Sequence, residues 1–139
     1  MPASPTTKGI RRVVSPQVPE PAAETWSNCL LVDGIAYVAG MIARSEDGKI
    51  VEGDEYAQAK VIFAKIRHLL EAAGGSMADV VKVVIFVTDI KQREKVWAAR
   101  REVFSGDFPV STLVQVAALA APGIKVEIEA IAHLGAGRR

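Results

Sequence analysis

The eight residues from Val80 to Val87, VVKVVIFV, are almost wholly apolar and β-branched. A strand of that composition has no face to give to water, so it belongs in the middle of a sheet with both faces covered. The rest of the chain must supply the cover, and two segments have the spacing to do it. Tyr56, Ala59, Phe63, Ile66, Leu70 and Ala73 recur at three- and four-residue intervals, with Ile62 and Leu69 widening the stripe. Asp54 precedes that helix as a cap for its first-turn amides, and Gly74-Gly75 stops it. A second helix follows Asp89 and Gln92, which have capping-box spacing. It carries Val96, Ala99 and Val103 in one row, Trp97 and Phe104 in the next, and ends at Gly106. Ser76 to Asp79 reads as a short capped turn between the first helix and the apolar strand.

The remaining strands read as hairpins. Leu30 to Val32 and Ile35 to Ala43 flank Asp33-Gly34, a pair able to take the positive φ angles of a two-residue turn, and Asp47-Gly48 marks a second turn. The run from Phe108 to Ala132 reads as two strands joined at Pro122-Gly123. In the second of these, Ile124, Val126, Ile128, Ala130 and Ala132 share a core face, while Lys125, Glu127, Glu129 and Ile131 share the other. In the first, Thr112, Val114, Val116 and Ala118 alternate with Leu113, Gln115, Ala117 and Leu119, so neither face is polar. This hairpin is therefore expected to be covered on both sides and not to form an outer edge.

The order ββ, α, β, α, ββ predicts an α+β fold, a single mixed sheet with two helices packed on one face. Two helices leave the other face bare, and self-association is the economical cover for an apolar sheet face. A chain of 139 residues suits one domain, placed at residues 25–134. Residues 1–24, with five of the 7 prolines, form a loose lead-in with a short edge strand near Ile10 to Val14, and residues 135–139 form a tail.

A net charge of +1 gives no electrostatic case for nucleic acid or an anionic membrane. Arg100-Arg101 and Arg138-Arg139 are slight grounds for RNA binding. The single cysteine, Cys29, cannot form an intramolecular disulfide and reads as a small core residue, and no segment reads as a signal peptide or a membrane span, so a cytoplasmic location is expected. His68 and His133 are too few and too scattered for a metal site, and Gly74-Gly75 is a helix stop, not a phosphate loop. No metal and no cofactor is expected.

FPVSTLVQVAAL followed by KVEIEAIA resembles the C-terminal signature of the RidA/YjgF family, small homotrimers that include enamine and imine deaminases. WSNCLLVDGIAYVAGMI is similar to that family's first hairpin and VVKVVIFVTDIKQ to its central strand and helix entry, so the resemblance runs from Trp26 to Ala132. It implies a chorismate-mutase-like fold and a homotrimer with its sheets facing inward, with a small-molecule cleft at each subunit boundary. It also implies where that cleft's residues lie. Glu127 matches the family's glutamate. Ser111 stands where the deaminases carry the arginine that grips a substrate carboxylate, and Thr112 is the small hydroxyl residue that follows. Trp26 replaces a tyrosine, Trp97 an asparagine and Leu113 a small residue, while Met41 falls in the matched first hairpin. Arg44 or Arg100 is the available substitute for the missing cation, against a plain reading of both as surface arginines. Read from the residues alone, Glu127 and Glu129 are a solvated pair on a polar face. With the resemblance, the expected function is hydrolysis of an enamine, imine or related bond in a metabolite other than a simple 2-imino acid. The alternative is a non-catalytic binding or interaction protein of the same fold.

Overall fold

The computed structural model describes residues 9–137. Eight elements form one sheet and its helical cover: β1 (Arg11–Arg12), β2 (Cys29–Val32), β3 (Ile35–Ile42), α1 (Glu55–Ala72), β4 (Val80–Val87), α2 (Arg93–Val103), β5 (Val110–Gln115) and β6 (Val126–His133). The strands lie in the order β1-β2-β3-β6-β4-β5. All pairings are antiparallel except β4 with β5.

Local chemistry sets the boundaries. At the β2–β3 turn Asp33 (φ 53) and Gly34 (φ 75) take the paired positive angles of the tight hairpin. Asp54 Oδ1 accepts from Ala57 N at 2.9 Å and opens α1. Gly74, at φ 94, closes it. Ser76 N donates to Asp79 Oδ2 at 3.0 Å, completing a capping box on the turn before β4. The helix side of the sheet is the core. Val83, Ile85, Val87, Val126 and Ile128 are buried against Ile62, Phe63, Ile66, Leu69, Val96 and Ala99. Gln58 lies inside this layer at 1 % exposure. Its side chain donates to Val51 O and Gly123 O and accepts from Lys125 N, which pins the approach to β6 onto α1.

Three expectations are corrected. The segment from Phe108 to Ala132 is not a hairpin, because β4 lies between β5 and β6. After α2 the chain returns as β5 parallel to β4, and residues 116–125 then carry it across so that β6 inserts between β3 and β4. A parallel neighbour needs such a crossover, and α2 provides it. β5 is consequently the sheet's outer edge, ending at Gln115, with Val110 66 % and Val114 41 % exposed. Within one chain β4 is buried on its helix side, and Val84 and Phe86, on the side expected to need a partner, are half-buried. Finally, Asp89 and Gln92 make no capping box. Asp89 caps a single 3-10 turn at Ile90–Gln92 by accepting from Lys91 N, and α2 begins after it without a side-chain cap.

The lead-in contributes to the core, since Val13 and Val18 are each 2 % exposed and Val13 N donates to Cys29 O. At the other end Gly137 N donates to Asp79 Oδ1 at 2.8 Å. Arg138-Arg139 lies outside the described residues. The face opposite the helices, which carries Tyr37, Val84, Phe86, Val114 and Ile131, has no cover among the described residues.

Candidate functional site

Two groups of side chains stand out, one on each face of the sheet. On the open face, the two-residue period of β6 directs Glu127 and Glu129 away from the helices while Val126, Ile128 and Ala130 enter the core. Glu127 lies between Ile42 of β3 and Phe86 of β4. Its carboxylate rests over Gly40, where a Cβ would come within 2.8 Å of Glu127 Cδ and Oε2. The missing side chain at Gly40 is what makes room for it. Burial, and then the like charge of Glu129, push the Glu127 carboxyl above the ordinary carboxylate range. Among the described residues no cation lies within ion-pair distance of it. A carboxyl so placed can hold a proton nearer neutrality and exchange it with a bound molecule.

The second group lies on the helix side, where β5 meets α2. Arg93, Trp97 and Arg100 fall at i, i+4 and i+7 and therefore share one helix face. The parallel register sets Ser111 beside Val83 and Leu113 beside Ile85, so both point toward that helix. With Phe108 these residues line a concavity of about 420 Å³. Arg100 Nη1 donates to Ser111 Oγ at 2.9 Å. The guanidinium carbons of Arg93 and Arg100 lie 5.6 and 5.8 Å from the Trp97 ring, within cation–π range. Arg100 Nε is shut away from solvent and has no acceptor among the described residues. Burial, and then the neighbouring Arg101, hold the Arg100 guanidinium below its ordinary pKa.

The other expected site residues divide between these groups or fall outside both. Thr112 is exposed on the Glu127 side of β5, in register with Val84. Trp26 is 59 % exposed ahead of β2, with its Nε1 donating to Asn28 Oδ1, and three strands separate β2 from β5. It therefore lines neither group within one chain. Met41 is corrected outright: at 3 % exposure, opposite Ile128, it is a core residue and presents nothing to a ligand. Arg44 donates to Gly48 O and is spent on the Asp47-Gly48 turn. Arg100 is thus the cation that reaches Ser111, contrary to its plain reading as a surface arginine. Cys29 is fully buried with its thiol pushed up to about 11 by desolvation, as a core cysteine should be. Arg93, Phe108 and Gly40 were not expected at the site; the spacing of Arg93, Trp97 and Arg100 was the signal that could have found the first.

Comparison with known proteins agrees with this fold. A family model described as Endoribonuclease L-PSP matches residues 17–134. A human protein named 2-iminobutanoate/2-iminopropanoate deaminase is 34% identical over 127 residues, covering 91% of this chain and 92% of that protein. The crystal structure of RidA from an Antarctic Psychrobacter superposes with a TM-score of 0.82 at 32% identity, covering 89% of this chain and 99% of that one. A Rid-family protein of unknown function from Yersinia pestis superposes with a TM-score of 0.85 at 30% identity, covering 91% of this chain and 100% of that one.

Proposed function

Because the chain belongs to the L-PSP family of RidA/YjgF proteins, we propose that it forms a homotrimer whose subunit boundaries hold a small-molecule cleft, and that this cleft hydrolyses an enamine, imine or related bond in a metabolite other than a simple 2-imino acid. The carrying observation is the pair of Glu127 and Ser111: the carboxyl that the chemistry needs is present and partly buried over Gly40, while the strand position that would hold a 2-imino carboxylate is a serine.

Hydrolysis of a C=N bond adds water to the carbon and releases the nitrogen as ammonia. The nitrogen must be protonated for its carbon to become electrophilic and later for ammonia to leave, and the attacking water must lose a proton. A carboxyl whose pKa is raised toward neutrality can do both in turn, giving its proton to nitrogen and recovering one from water. An apolar cleft assists by weakening the charged form of the acid.

Assembly is supported by the bare face and by the strand edge. Tyr37, Val114 and Val110 are 46 %, 41 % and 66 % exposed, and β5 leaves one line of backbone groups unpaired by any strand among the described residues. Glu127 and Ser111 also face opposite sides of their own sheet, so one chain does not gather the site residues into a single cavity. A second copy at the edge is the simplest way to close one.

A second reading, a binding protein without turnover, is favoured by one observation: Trp97 and Leu113 put large apolar side chains where the resemblance expects smaller or more polar ones. Nucleic acid is not proposed as a partner, the charge being nearly balanced. Among the described residues no helix is long and apolar enough to cross a membrane, and no three His, Cys, Asp or Glu side chains gather as a metal site. The two readings separate on ammonia release from freshly generated enamines and imines, with and without carboxylates, by the parent and by Glu127→Gln. Release that the substitution abolishes supports hydrolysis. No release from any substrate, with ligand binding retained, supports the binding protein.

A further inference from the structure

A concavity of about 540 Å³ lies outside both groups described above, between α1, the turn after β3 and the lead-in. On α1, Val61, Ala64, Lys65 and His68 fall at i, i+3, i+4 and i+7 and share the helix face that lines it. The turn closed by the Arg44–Ile50 bridge supplies Arg44 and Val51, and the lead-in supplies Gln17. Lys65 is half-buried and reaches the end of β3, where its Nζ donates to Ile42 O at 3.0 Å. Burial, and then the positive charge of Arg44, hold its ammonium below the ordinary pKa.

Donors outnumber acceptors here. Among the described residues no carboxylate lies within ion-pair distance of Arg44, Lys65 or His68. The two acidic side chains of the concavity do not fill that role: Asp47 Oδ1 accepts from Ser45 Oγ and Lys49 N within its own turn, and Glu46 is exposed. Arg44 gives one terminal nitrogen to Gly48 O, and Gln17 Oε1 accepts from Ser15 Oγ, so the other N–H groups of the guanidinium and the amide N–H groups of Gln17 remain for a ligand. Two cations brought together in a half-buried setting repel each other, and an anion between them relieves the repulsion.

We propose that Arg44, Lys65 and His68, with Gln17, form a binding site for the phosphate group of a small phosphomonoester metabolite. A phosphate suits this arrangement better than a carboxylate does. The donors arrive from three separate segments, and a phosphomonoester presents three terminal oxygens and about two negative charges to them, whereas a carboxylate presents two oxygens in one plane. Val51, Val61 and Ala64 give the organic part of the ester an apolar wall.

The test is an NMR titration of the full chain with phenyl phosphate, phenol, benzoate and inorganic phosphate, following the imidazole C–H signals. The chain has 2 histidines, so His133→Gln assigns both sets. Phenyl phosphate should shift the His68 signals saturably, leave those of His133 in place, and bind about ten- to a hundredfold more tightly than phenol. It should also bind more tightly than benzoate, which lacks the third oxygen, and than inorganic phosphate, which lacks the apolar part. Lys65→Gln and Arg44→Gln should each weaken it by a similar factor, and Lys65→Arg should keep most of the affinity. If Lys65→Gln does not fold, Arg44→Gln and the parent's order of probes decide the matter. No saturable His68 shift in the millimolar range, a shift of His133 alone, equal affinity for phenyl phosphate and phenol, or unchanged affinity in both glutamine variants overturns the site. Benzoate binding as tightly as phenyl phosphate overturns the choice of phosphate, and inorganic phosphate binding as tightly overturns the organic ester.

Discussion

Arg100 and Ser111 meet at 2.9 Å between Nη1 and Oγ, bringing a guanidinium from α2 to a strand position that has none of its own. The arrangement depends on β5 running parallel to β4. That register turns Ser111 toward the helix, and Trp97 holds the guanidinium in place from the same helix face. Placing a second cation at Ser111 would therefore set two like charges against each other. Ser111→Arg should displace the Arg100 side chain and gain little ammonia release from freshly generated 2-iminopropanoate, while a combined change with Trp97→Asn should gain more. A single Ser111→Arg variant with vigorous 2-iminopropanoate turnover would show that Arg100 does not occupy this ground.

Glu127 and Gly40 form a comparable pair on the open face. Gly40→Ala puts a Cβ 2.8 Å from the Glu127 carboxylate, whose flexible end can swing aside. The loss of stability should stay below the about 1 to 3 kcal/mol typical of overpacking a core. Turnover should nevertheless fall well below the parent's, because the carboxyl has been moved. Chemical denaturation and ammonia release on the same preparation check both halves of this expectation.

The pH dependence of stability should carry the sign of a raised carboxyl. The native state holds the Glu127 proton to higher pH than the unfolded chain does, so this residue's contribution is fully present below the ordinary carboxylate range. It is lost as pH rises through the native value. Glu127→Gln should remove that decline and melt higher than the parent at neutral pH. Parallel melting-temperature profiles from pH 4 to 8 would mean that Glu127 is solvated.

Much of this architecture is legible in the sequence, and the limits have physical causes. The helix boundaries are readable because Asp54, Gly74 and Ser76 act on backbone groups within a few residues of themselves. The facing of Glu127 and Ile128 is readable because a strand alternates. Neither signal names a strand's neighbours, so alternation in β5 and β6 is compatible with a hairpin, and only the crossover through α2 and the insertion of β6 separate them. Gln58 stitches the β6 approach to α1 through contacts 65 and 67 residues away, and no local pattern announces that. Met41 is misjudged for a related reason. Membership of a matched hairpin says nothing of which face a residue takes, and the bulge between Val38 and Met41 resets the count.

The bare sheet face gives the assembly prediction. Val84 lies there beside Glu129 and is only half-buried within one chain. Val84→Lys should therefore leave a lone subunit folded while making a buried interface intolerable to its charge. Sedimentation at micromolar concentration should give a trimer for the parent and a smaller species for the variant. A monomeric parent would remove the interface from the account.

The proposed hydrolytic role of Glu127 is tested most directly by ammonia release from a panel of freshly generated enamines and imines, using parent and Glu127→Gln at matched subunit concentration. The panel should include 2-iminopropanoate and substrates that lack a carboxylate. Expected are turnover by the parent of a substrate other than 2-iminopropanoate, little from 2-iminopropanoate, and loss of all turnover in Glu127→Gln with its assembly state unchanged. Equal ammonia release by the two proteins would contradict that role.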